Sequence, residues 1–111
     1  MNQDEIEYRF RCIFSVNYFN RISLASDSRG QITLITIDVH GLTCREARRF
    51  ISNTVNLTKG YFPVRIIHGY RHGTAIRDML RKESINSHIH HWMNTSNNMG
   101  VTTLVMCAGM S

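Results

Sequence analysis

The sequence predicts a small α/β domain, an α+β two-layer sandwich in the order β-α-β-α-β-β, with two helices on one face of a small mixed sheet. Three observations predict it. Residues 31–46, QITLITIDVHGLTCRE, read as strand, tight turn and helix start. A second β-branched run, Val64–Ile67, is followed by another loop and helix, and a final run, Val101–Met106, has the composition of a strand. At 111 residues the chain is sized for one domain, and 42% hydrophobic content suits a packed core.

Residues 1–30 are the least legible part. Tyr8, Phe10, Cys12, Phe14 and Val16 alternate as on a strand, while Ile6, Phe10, Ile13 and Phe14 recur at helical spacing. We read 1–30 as an extension, with a helix favoured, and 31–111 as the domain itself. Residues 26–30, SDSRG, form a polar turn or linker.

The first strand is apolar at Ile32, Leu34, Ile35, Ile37 and Val39 and reads as buried on both faces. At its carboxyl end stand Asp38 and His40, two residues apart and so on one side of the strand. Gly41 permits a sharp turn. Thr43 and Glu46 then have the spacing of a capping box. Ala47, Phe50, Ile51, Thr54 and Val55 give the helix one buried face. Arg45, Arg48 and Arg49 read as its solvated side, and Gly60 as its stop, with Pro63 barring continuation. Strand–helix–strand at this spacing implies a right-handed parallel unit.

After Val64–Ile67 the loop HGYRHGT, residues 68–74, leads into the helix Ala75–Lys82, on which Arg77 and Arg81 share a face. Residues 86–93 are a weaker strand candidate, and 94–100 a polar connection.

Parallel strands present their carboxyl ends together, so one sheet edge should gather Asp38, His40, His68, Arg71 and His72 beside the second helix's amino end. Free N–H groups and the helix dipole make that end a phosphate cradle. Gly69 and Gly73 let backbone approach a ligand, Thr74 can cap the helix or donate to phosphate, and Arg71 and Arg77 add charge. Tyr70 has two readings, stacking on a base or covering the loop. Plainer readings stand beside these: Asp38 satisfying turn N–H groups, His40 anchoring the turn, Cys44 as either an activated thiol or a filler. His88 and His90 would share a strand face, but two imidazoles are a poor metal site.

A formal net charge of +5 makes a polyanion, nucleic acid first, the natural partner. Three dispersed cysteines without a CxxC pair suggest neither a disulfide framework nor zinc. No secretory leader or membrane-length apolar run is evident, so a soluble, cytoplasmic protein is expected.

The segments IDVHGLTCREA and VRIIHGYRHGTAIRDMLRK together resemble the Smr (small MutS-related) domain family in its short bacterial stand-alone form. The family marks are Asp-Leu-His-Gly after one strand and His-Gly-x-Gly after the next. Here they are Asp38-Val39-His40-Gly41 and His68-Gly69-Tyr70-Arg71-His72-Gly73. Val39 replaces leucine, and Arg71 and His72 intervene before Gly73. The resemblance implies a fold similar to the C-terminal domain of translation initiation factor three, and nucleic-acid binding. It implies an endonuclease cleaving phosphodiester bonds, RNA preferred and DNA nicking possible, with ribosomes as a further partner. Asp38 and His40 map onto the residues assigned to cleavage. His68, Gly69, Tyr70, Arg71, His72, Gly73, Thr74 and Arg77 map onto the substrate-binding side. No cofactor is certain, and Mg²⁺ assistance stays open because one carboxylate is a thin ligand set. The alternative is a non-catalytic RNA- or ribosome-binding module. Oligomeric state is not legible.

Overall fold

A computed structural model describes residues 2–69, 73–94 and 99–107. Two helices come first, α1 (Gln3–Ile13) and α2 (Val16–Phe19), and then a strand, β1 (Ile22–Ser26). The predicted β-α-β-α-β-β series follows as β2 (Ile32–Asp38), α3 (Cys44–Thr58), β3 (Val64–Ile67), α4 (Ala75–Lys82), β4 (Ile89–Asn94) and β5 (Val101–Met106). The strands form one mixed sheet in the order β1-β2-β3-β5-β4, parallel at β2–β3 and antiparallel elsewhere.

β1 is a strand the alternation patterns do not reveal. Residues 27–30 are the turn of a β1–β2 hairpin, where the Asp27 carboxylate accepts from the backbone N–H groups of Arg29 and Gln31 at 2.8 and 3.0 Å. The ambiguous stretch before it resolves to helix because Ile6 and Phe10 fall on one side of α1 and are wholly buried. Phe14 and Tyr18 extend that contact, each meeting Phe50 of α3 edge to face at 5.1 and 5.0 Å. The first thirty residues therefore supply an edge strand and part of the core.

One face of the sheet carries Ile35, Ile37, Val64, Ile66 and Leu104, all buried, and the helices cover this face, with α3 touching both α1 and α4. The expectation that β2 is buried on both faces is corrected. Leu34 and Thr36 are only half-buried and Thr33 is exposed, because among the described residues no helix packs against their side. Continuous apolar character in β2 thus reflects β propensity as well as burial.

α3 makes both capping-box hydrogen bonds, and these hold the Glu46 carboxyl below its ordinary range. Its buried Thr54 and Thr58 hydroxyls donate back to the carbonyls of Phe50 and Thr54. The helix stops one residue earlier than Gly60 suggests, with Lys59 taking the left-handed cap at φ 56°. Gly60 remains obligatory for another reason: its φ is 68°, and a Cβ there would meet the His88 Cβ at 2.8 Å. Arg48 is more than a solvated residue, since it pairs with Glu83 and donates to the Ser84 carbonyl, tying α3 to the end of α4. Cys44 packs against the core as a filler.

Candidate functional site

β2 and β3 run parallel with Asp38 opposite Ile67, so the turns leaving them begin side by side. Val39 N–H donates to the Ile67 carbonyl at 2.9 Å and holds that junction closed. Just beyond it, Gly69 lies at φ 73°, and a Cβ built there would stand 3.8 Å from the His40 Cβ. The two turns meet at one rim, and glycine is what allows the second to turn there.

Asp38 and His40 come together on that rim. One Asp38 carboxylate oxygen accepts from the His40 backbone N–H at 3.1 Å and also pairs closely with His40 Nδ1. The His40 side chain is 65% exposed and that of Asp38 34%, so the pair is open to a ligand. Held through Nδ1, the imidazole keeps Nε2 as its second nitrogen, which has no hydrogen-bond partner among the described residues. Beneath the turn lies Arg21, a residue the sequence reading passes over. Its guanidinium donates to the carbonyls of Asp38 and His40 at 3.1 and 3.0 Å, and its own carbonyl accepts from Asp38 N–H at 2.8 Å. Nothing in the local sequence around Arg21 signals this, because the contact spans the β1–β2 hairpin.

His68 sits differently. It follows Ile66 on the helix-covered face and is only 7% exposed. Nδ1 lies 2.8 Å from the Gly69 carbonyl and Nε2 2.8 Å from the Thr102 hydroxyl. A carbonyl only accepts, so Nδ1 carries the proton and Thr102 donates to Nε2. Burial lowers the imidazole pKa, the Gly69 carbonyl works against this, and the charges of Arg81 and Arg77 lower it further. The ring is therefore neutral at pH 7, with both nitrogens spent inside the protein.

Around α4 the charge is distributed otherwise than the sequence suggests. Thr74 does not cap the helix: its backbone, at φ −121° and ψ 17°, is not in the extended cap conformation, and its hydroxyl donates to Asp78 at 3.0 Å. Asp78 also lies 3.6 Å from the Arg77 guanidinium. Arg81, one turn on, lies over the Trp92 ring at 4.4 Å and reaches the Asn94 side chain. Gly73 is exposed, at φ 116°. Tyr70, Arg71 and His72 lie outside the described residues.

The face expected to join His88 and His90 does not form. His88 precedes β4, the ladder is irregular between Ile89 and His91, and the His90 and His91 rings contact each other instead. Among the described residues, no three His, Cys, Asp or Glu side chains converge on a cation site. No helix there is long and apolar enough to cross a membrane.

A parallel β-α-β unit carrying an aspartate–histidine pair at the strand end, beside a glycine-flanked loop opening a second helix, defines a class of small two-layer α/β domain. The chain belongs to the Smr domain family, whose model matches residues 37–106, from just before Asp38 to the last residue of β5. No curated protein matches the chain at a significant level.

Proposed function

We propose that this protein is an endonuclease that cleaves phosphodiester bonds in nucleic acid, with RNA preferred over DNA. The observation that carries the reading is the exposed Asp38–His40 pair, whose carboxylate fixes the imidazole through Nδ1 and leaves Nε2 to exchange a proton with a bound ligand. In RNA the 2′-hydroxyl supplies a nucleophile beside the phosphorus, so one well-placed base is enough to start the reaction. His40 Nε2 takes that proton, the 2′-oxygen attacks phosphorus, and the 5′-oxygen leaves with a proton from solvent or from the imidazolium. Asp38 orients the ring, and Arg21 holds both backbone carbonyls of the turn in place.

His68 enters this reading as a positioning residue that fixes the loop from beneath. Phosphate contacts fall to the loop of residues 69–74 and to Arg77. Mg²⁺ fits these residues poorly, since the single carboxylate at the turn is already engaged by His40. Labelled single-stranded RNA and DNA incubated with wild type, Asp38→Asn and His40→Ala, with and without chelator, test the proposal. Cleavage should fall by about 10²-fold or more in His40→Ala. Equal product from that variant and wild type would refute the assignment.

A binding module without chemistry, attached to RNA or to ribosomes, is the second reading. What favours it is the loop sequence, with Arg71 and His72 before Gly73, together with Asp78, whose carboxylate competes with a scissile phosphate for the amino end of α4 and leaves binding to the basic side chains. It predicts salt-sensitive binding with no product in the same assay.

A further inference from the structure

A cleft of about 290 Å³ lies between the end of α4, the segment that follows it and the edge strand β4, away from the Asp38–His40 turn. Its floor is apolar, formed by Leu80, Ile85, Ile89 and Leu104, and its margin carries Trp92 with the cations Arg81 and Lys82. Glu83, the acid beside them, is drawn off by its pairing with Arg48. Lys82 is exposed and makes no ion pair among the described residues. An apolar floor under an aromatic ring and two cations is complementary to a nucleotide, whose base has flat apolar faces and whose phosphate is anionic.

We propose that this cleft holds a flanking nucleotide of a single-stranded nucleic acid whose scissile bond lies at Asp38 and His40. The proposal rests on the nuclease reading and names the substrate's form. Three observations support a polymer rather than a free nucleotide. In the sheet order β2-β3-β5-β4, the cleft strand is three strand spacings, about 14 Å, from the strand carrying Asp38. Between the two ends, Arg77 and Arg81 stand one helical turn apart on α4, and both are only partly buried, so two cations lie along the way. Arg81 already lies over Trp92, so a base laid against this pair extends a stack that exists in the free protein. A duplex would bury its base faces and could not use the floor.

Trp92 is the sole tryptophan of the chain, so its fluorescence reports directly on the cleft. The test titrates the full chain with a single-stranded oligoribonucleotide that has no self-complementarity, the same strand annealed to its complement, and the free mononucleotides AMP and UMP. Affinity is followed in parallel by anisotropy of the labelled oligonucleotide. The single strand should quench Trp92, and the duplex and mononucleotides should not do so at equal nucleotide concentration. Trp92→Ala should weaken the oligonucleotide by about tenfold, while Trp92→Phe, which keeps an aromatic plane, retains most of the affinity. Lys82→Ala, at an exposed position, should lower the salt slope by about 0.7. Binding without quenching, or unchanged affinity in both Trp92→Ala and Lys82→Ala, would overturn the cleft while leaving the nuclease reading intact. Equal quenching by mononucleotides would overturn the strand assignment. Absence of any binding or cleavage by wild type would remove the nuclease reading itself, and this inference with it.

Discussion

Replacing Thr102 by valine tests whether the buried histidine supports the rim. The two side chains have nearly the same shape, so the change removes one hydroxyl donor and little packing. Thr102 is fully buried, and its hydroxyl is the partner of His68 Nε2. Losing it leaves a buried imidazole nitrogen unsatisfied, at a cost of about 1–3 kcal/mol. For a domain near 100 residues this lowers Tm by roughly 4–12 °C. Acid adds a second signature. His68 has its folded-state pKa lowered from 6.5, so folding favours the neutral ring. Above pH 6.5 that stabilisation is fully present. As pH falls below 6.5 the unfolded chain takes up a proton that the folded chain resists, and stability declines until the folded-state pKa is reached. The His68 contribution to the slope cannot exceed about 1.4 kcal/mol per pH unit. Urea unfolding of wild type, Thr102→Val and His68→Asn between pH 7.5 and 5.5 measures both effects, and ring ¹⁵N shifts report the Nδ1–H tautomer. A Thr102→Val protein as stable as wild type, or an identical pH slope in His68→Asn, would refute the reasoning.

Arg21→Ala should lower kcat more than it raises KM, because it frees the turn that aims His40. The stability loss should be only about 1 kcal/mol, since water can replace a guanidinium at this partly exposed place. Steady-state cleavage and thermal melts separate the two. Phe10→Ala removes a wholly buried ring from the α1–α3 contact and should cost about 3–5 kcal/mol by denaturant titration, which would show the N-terminal segment to be part of the folding unit. Gly60→Ala should cost about 2 kcal/mol or more, and clearly more than Gly30→Ala. Both glycines have positive φ, but only at Gly60 does an added Cβ strike His88. Comparing their urea midpoints isolates that contact.

Much of the architecture could be read from the chain because its signals are local. The Thr43–Glu46 capping box, the three- and four-residue spacing of Ala47, Phe50, Ile51, Thr54 and Val55, and the β-branched runs at Val64 and Val101 each depend on neighbours within one element. The nearness of Asp38 and His40 was legible from their two-residue spacing, although His40 lies in the turn past β2 and the Asp38 carboxylate, accepting from its N–H, draws the two together. What escaped was whatever depends on a partner distant in sequence. β1 has a weak pattern and exists because β2 pairs with it. Arg21 braces the turn only once that hairpin has closed. His68 resembles a ligand in a motif, but its depth and its Thr102 partner arise when β5 is laid beside β3. The Trp92 cleft is assembled from α4 and β4. Periodicity reports which way a side chain faces, and only the packed sheet decides what it faces.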